Sequence, residues 1–159
     1  MTIQVGDTIP AANLASMTEN GPEPVNSQDF FANRRVVLFS VPGAFTPTCS
    51  AHHLPGFVEH ADELLAKGVD AIACMAVNDA FVMGAWGDSA NADKIAMLAD
   101  GNGDFTKELG LEMDGTAFGM GMRSQRFALV ADNGVVTHLF IEGPGEFKVS
   151  SAEYVLGEL

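Results

Sequence analysis

The chain has 159 residues, with 8 Lys and Arg against 21 Asp and Glu and a formal charge of −13. That length suits one domain with its own core, needing neither disulfides nor a metal, and a hydrophobic share of 47% excludes a disordered or fibrous polymer. The acidity excludes the basic patch that a nucleic-acid or anionic-membrane partner would need; no apolar run reaches the ~18 residues of a bilayer span.

The opening residues, Met1-Thr-Ile-Gln-Val-Gly-Asp, lack the basic and apolar regions of a secretory signal, so a cytoplasmic chain is expected. Residues up to about 30 are rich in loop formers (Pro10, Gly21-Pro22, Pro24), with a short extended piece at 14–17. The run Val36-Val-Leu-Phe-Ser-Val41 has the length and continuity of a buried strand, ended by Pro42-Gly43. From 48 to 67 the period changes: Leu54, Phe57, Val58, Ala61, Leu64 and Leu65 recur at helical spacing, and Gly68 stops the helix. A second apolar strand is expected at 69–77, and Asn78-Asp79 is a natural cap for a helix reaching about Trp86.

A weaker strand follows at 94–99 and a short helix at Asp104–Leu109. Two strands, 126–131 and Val135–Ile141, flank the hairpin signal Asp132-Asn-Gly134. Ser150-Ser-Ala-Glu153 has the form of a capping box opening a last helix. Strands alternating with helices predict an α/β fold, residues 1–159 forming one domain, with the first two strong strands parallel through a right-handed crossover.

Two cysteines without a C-x-x-C pair do not make a disulfide framework. Cys74 falls in the apolar strand 69–77, where a small buried hydrophobe is expected. Cys49 instead follows a loop of backbone punctuation, Val41-Pro-Gly-Ala-Phe-Thr-Pro-Thr-Cys49. It lies in the first turn of the predicted helix, beyond the carboxyl end of a parallel strand, where reactive sites collect in open α/β sheets. Unpaired N–H groups and the positive dipole end there favour a thiolate. Thr46 can offer its hydroxyl to that sulfur, while Pro42 and Pro47 stiffen the loop and remove two donors. These residues describe an activated nucleophile. The thioredoxin pattern would place a second cysteine three positions earlier, where Thr46 stands, so dithiol exchange within the loop is excluded.

The string PGAFTPTCS, containing Pro42-x-x-x-Thr46-x-x-Cys49, resembles the active-site signature of peroxiredoxins. Its continuation through His53-Leu-Pro-Gly-Phe57 resembles the atypical type-II/type-V subfamily, as do Val77-Asn-Asp-Ala-Phe-Val-Met-x-Ala-Trp86 and Arg123-Ser-Gln-Arg-Phe-Ala128. The resemblance covers roughly residues 3 to 157. It implies a thioredoxin-like fold, a central mixed sheet flanked by helices, and thiol-dependent reduction of hydrogen peroxide, alkyl hydroperoxides and peroxynitrite without a cofactor. Cys49 is implied as the peroxidatic cysteine, with Pro42, Thr46 and Arg126 as its partners and Gly43, Phe45 and His53 shaping the pocket. It also implies a homodimer and recycling by glutathione with glutaredoxin, or by thioredoxin. A peroxide-sensing interaction protein using the same cysteine is the alternative reading.

Some positions stay open on the residues alone. Arg126 can also be read as a surface cation, with Arg123 as its competitor for the sulfur. Cys74 is either a resolving cysteine or a packed core thiol. His52 reads as a solvated helix residue, and Cys49, His52 and His53 lack further ligands at a spacing suited to a metal. Phe45, Phe81 and Met83 are either an interface or core.

Overall fold

The computed structural model describes residues 1–159. Its centre is a seven-stranded sheet. In chain order the strands are β1 (Asn13–Thr18), β2 (Gly21–Asn26), β3 (Arg35–Ser40), β4 (Ala71–Ala76), β5 (Ile95–Ala99), β6 (Glu112–Asp114), β7 (Met122–Ser124), β8 (Phe127–Asp132) and β9 (Val135–Ile141). Spatially the large sheet runs β2-β1-β5-β4-β3-β8-β9, and β6-β7 forms a separate pair. The β3/β4 and β4/β5 pairs are parallel, while β1/β2, β1/β5, β3/β8 and β8/β9 are antiparallel. This is the thioredoxin-like mixed sheet that the motifs led us to expect.

The helices are α1 (Ser27–Phe31), α2 (Leu54–Ala66), α3 (Ala80–Ser89), α4 (Asp104–Leu109) and α5 (Ala152–Glu158). Alternation along β3 sorts the core into two layers. Val37 and Phe39 face a layer containing Phe57, Leu64, Met83, Trp86 and Val155 of α2, α3 and α5. Val36 and Leu38 face the opposite layer, with Phe31 of α1 and Phe105 and Leu109 of α4. A strand covered on both faces reads as an unbroken apolar run, which is why β3 was legible.

Several sequence expectations change. The loop-rich start holds the β1–β2 hairpin, whose prolines Pro22 and Pro24 sit on the edge strand β2; an edge position tolerates the missing donor. The helix expected from 48 begins instead with a π-helical turn, Cys49–His53, in which the Leu54 N–H reaches the Cys49 carbonyl. Pro55 explains it, since its ring has no N–H for the fourth carbonyl back and crowds that turn. The last helix is capped by Ser151, which accepts from Tyr154 N–H, and not by Ser150. Ser150 is buried and bonded to Glu142. Met83 is fully buried, so it belongs to the core. Asp79 caps α3 through Val82 N–H as expected.

Candidate active site

Three segments bring the site together at the carboxyl end of β3. The loop after β3 carries Pro42, Thr46 and the entry into the π turn, β4 leads to Asn78, and the residue before β8 is Arg126. Asn78 Oδ1 accepts the Ala44 N–H at 2.9 Å and ties the first loop to the start of α3. Arg123 donates from Nη1 to the Pro42 carbonyl at 3.3 Å and from Nε to Met120 O at 2.9 Å. Gly43 is what admits it: a Cβ there would lie 2.8 Å from Arg123 Nη1. Arg123 is thereby used up in fastening the loop and does not reach the sulfur.

Arg126 does. Its Nη2 donates to Cys49 Sγ at 3.0 Å, and its Nη1 donates to His53 Nδ1 at 2.7 Å. A guanidinium can only donate, so Nδ1 must present its lone pair and the ring proton sits on Nε2. Nε2 in turn donates to the Ser150 carbonyl at 2.9 Å. Burial first, and then the Arg126 charge, push the His53 pKa down to about 3. The imidazole is therefore neutral and fixed in one tautomer.

Thr46 Oγ1 lies 2.8 Å from Cys49 Sγ and 2.7 Å from the Gly43 carbonyl. One hydroxyl proton serves both acceptors. With the sulfur as a thiol, S–H can donate to Oγ1 while the hydroxyl points at Gly43; with the sulfur ionised, the hydroxyl is free to turn to it. Cys49 itself is fully buried. Beside it opens a cavity of about 760 Å³ walled by Pro42, Thr46, Thr48, Phe118, Met120 and Arg126, among others.

Of the residues expected to shape that pocket, none lines it. Gly43 is buried beneath Arg123, and His53 is buried behind Arg126 with its ring between Phe39 and Phe147, 4.9 Å from each centroid. Phe45 sits in the left-handed region at φ 63, and its ring, 54% exposed, turns outward 6.4 Å from that of Trp86. The tight loop leaves that ring no inward path. His52 is exposed, and no group of three His, Cys, Asp or Glu side chains is placed to hold a metal ion.

Cys74 lies on β4, fully buried and a free thiol in the same core layer as Cys49. Burial pushes its pKa well above the ordinary thiol value; nearby Cys49 adds to this, and Arg126 opposes it. Two functional neighbours escaped the sequence. Trp86 Nε1 donates to Ser50 Oγ at 3.1 Å, bracing the turn beside Cys49, and Glu142 is buried under the 143–150 segment. The Val77–Trp86 motif held the signal for the first; an acidic residue ahead of Gly-Pro-Gly held none for the second.

A cysteine sulfur held between a hydroxyl and a guanidinium at the strand end of a thioredoxin-like sheet defines a thiol-based redox enzyme. Residues 4–156 match the family model described as Redoxin. The chain is 53% identical over 165 residues to peroxiredoxin-2E-2, chloroplastic, of Oryza sativa subsp. japonica, covering 99% of this chain and 73% of the relative. It is 48% identical over 159 residues to peroxiredoxin-2D of Arabidopsis thaliana, covering 99% and 98%. The crystal structure of reduced Prx3 in complex with hydrogen peroxide from Vibrio vulnificus superimposes with a TM-score of 0.96 at 55% identity, covering 99% of both chains. The chain belongs to the redoxin family and, within it, to the peroxiredoxins. It is a thiol-dependent peroxidase.

Proposed function

We propose that Cys49 is the peroxidatic residue and that the protein reduces hydrogen peroxide, alkyl hydroperoxides and peroxynitrite through it. The observation that carries this reading is the Cys49 sulfur held by Arg126 Nη2 at 3.0 Å and Thr46 Oγ1 at 2.8 Å. The thiolate attacks one peroxide oxygen in line, the O–O bond breaks, and the departing oxygen takes a proton and leaves as water or alcohol. The sulfur becomes a sulfenic acid. Arg126 stabilises the anionic sulfur and the charge spreading over the O–O bond. Thr46 and the Cys49 N–H hold the peroxide for attack, with Pro42 closing one side.

The wall of Phe118 and Met120 supports alkyl hydroperoxides as substrates. The hydrogen peroxide complex of the Vibrio vulnificus relative supports the smaller substrate. The sulfenic acid is returned to thiol by an external partner: one thiol displaces water to form a mixed disulfide, and a second releases Cys49. Glutathione with glutaredoxin, or thioredoxin, supplies both thiols. The buried, weakly acidic Cys74 supports the external route over a resolving role for that residue. A homodimer is part of the same reading, supported by the exposed rings of Phe45 and Phe81 on segments joined through Ala44 and Asn78.

Stopped-flow peroxide reduction by Cys49→Ser tests the assignment. Loss of the fast reaction is expected; a mutant as fast as the wild type would sink it.

A further inference from the structure

The peroxidase chemistry leaves one buried charge without a task. Glu142, 7% exposed, directly follows β9. Its own N–H donates to the Arg126 carbonyl at 3.0 Å, because the β8/β9 register sets the two residues opposite each other. Its carboxylate accepts the N–H groups of Lys148 and Val149 at 2.9 Å, the Ser150 N–H at 2.8 Å and the Ser150 hydroxyl at 2.6 Å. The Lys148 ammonium pairs with Glu146 instead. Backbone dipoles and a hydroxyl, with no cation, thus hold the carboxylate and close residues 143–150 upon it. Burial pushes its pKa up, but those hydrogen bonds outweigh burial and leave it below the ordinary value.

The closed segment ends in the Ser150 carbonyl that accepts from His53 Nε2. His53 Nδ1 accepts from Arg126 Nη1. The bonds therefore form a closed circuit from the Arg126 backbone, through Glu142, Ser150 and His53, back to the Arg126 guanidinium. Phe147, in the middle of the segment, packs on His53 at 4.9 Å and lies 5.7 Å from the Arg126 guanidinium carbon. Moving the Ser150 carbonyl away would free His53 to carry its proton on Nδ1. That N–H would then face the guanidinium, donor against donor.

We propose that Glu142 is a positioning residue for Arg126: by closing 143–150 it holds the Ser150 carbonyl in place, keeps the proton on His53 Nε2, and so leaves the Nδ1 lone pair to anchor Arg126 against Cys49. This rests on the roles given to Cys49 and Arg126 above. A latch serving only loop stability would change neither the tautomer nor the reaction of the sulfur.

The test combines ¹⁵N NMR of the His53 ring with the second-order rate of hydrogen peroxide reduction in Glu142→Ala and Glu142→Gln. The wild type is expected to show a single neutral Nε2–H ring. In Glu142→Ala both tautomers should be populated, and the rate should fall about tenfold to a hundredfold, as for other small misplacements of a reacting group. Glu142→Gln keeps one acceptor oxygen and should fall between. In an Arg126→Ala background, Glu142→Ala should change the rate less than about twofold, since both substitutions act on one contact. A folded Glu142→Ala with the wild-type tautomer, or a rate loss adding in full to that of Arg126→Ala, overturns the proposal. If Glu142→Ala does not fold, Glu142→Gln decides: a loss that vanishes in the Arg126→Ala background supports the circuit, and no loss, or one that persists, overturns it. An unimpaired Cys49→Ser would instead remove the peroxidatic assignment and leave the tautomer result standing.

Discussion

Arg126→Met separates the two jobs of one guanidinium, because methionine fills much of the same space without a donor. The lost Nη2–Sγ contact is a charge-assisted bond of 3.0 Å, a type that contributes about 1.5–3 kcal/mol. If all of it acts on the anionic sulfur and the transition state, the rate falls about tenfold to 150-fold. The lost Nη1 contact orphans His53 Nδ1, whose ring is buried. Leaving such an acceptor unpaired costs about 1–3 kcal/mol of stability, and each kcal/mol lowers the melting midpoint of a chain this size by about 2–4 °C. Arg126→Lys keeps the charge, but one ammonium cannot reproduce the fork toward both partners, so an intermediate rate is expected. Stopped-flow mixing with peroxide can follow Trp86, the single tryptophan, whose Nε1–H is bonded to Ser50 next to Cys49. Arg126→Met reacting within about threefold of the wild type would refute the assignment of that contact to the chemistry.

Cys74→Ala should retain turnover when glutathione and glutaredoxin are supplied; a Cys49–Cys74 disulfide found by mass spectrometry in peroxide-treated wild type would contradict this. Stability should fall with pH below the ordinary histidine value of 6.5, because His53 is pushed down to about 3 in the fold. In that window the unfolded chain binds the extra proton, so folding weakens by about 1.4 kcal/mol per pH unit. Urea midpoints should therefore show a loss of about 2 kcal/mol from pH 6.5 to 5, and His53→Gln should flatten it. His60 works in the opposite direction, raised first by its bond to Glu63, and so acts above that window. Phe81→Glu should shift a dimer toward monomer in sedimentation velocity; an unchanged sedimentation coefficient would place any interface elsewhere.

The legible parts of this chain were those governed by local rules. An apolar run for β3, a side-chain cap at Asp79 and a tight turn at Asp132-Asn-Gly134 each state their conformation within a few residues. Cys49 stood out by the same logic, since punctuation rather than core surrounds it. What escaped depends on register between distant segments. Prolines in β2 argued for loop until the strand proved to lie on an edge. Arg123 and Arg126 were indistinguishable as cations, and only the placement of Gly43 and His53 separates them. Glu142 gains its importance from partners six to eight residues onward and from a carbonyl across the hairpin. No pattern of residue types announces that.

The π-helical turn at Cys49–His53 has a geometric consequence for side chains four apart. In an α-helix of about 3.6 residues per turn, such a pair is offset sideways around the axis. In a π turn of about 4.4 residues the offset nearly closes, and the two side chains stand almost one above the other. One flat guanidinium can then reach the sulfur with one nitrogen and the imidazole with its neighbour, without twisting. Removing a single residue from this turn would restore the ordinary helix and rotate His53 away from the axis it shares with Cys49. The extra residue acts as a shim, aligning a nucleophile with the ring that steadies its cation.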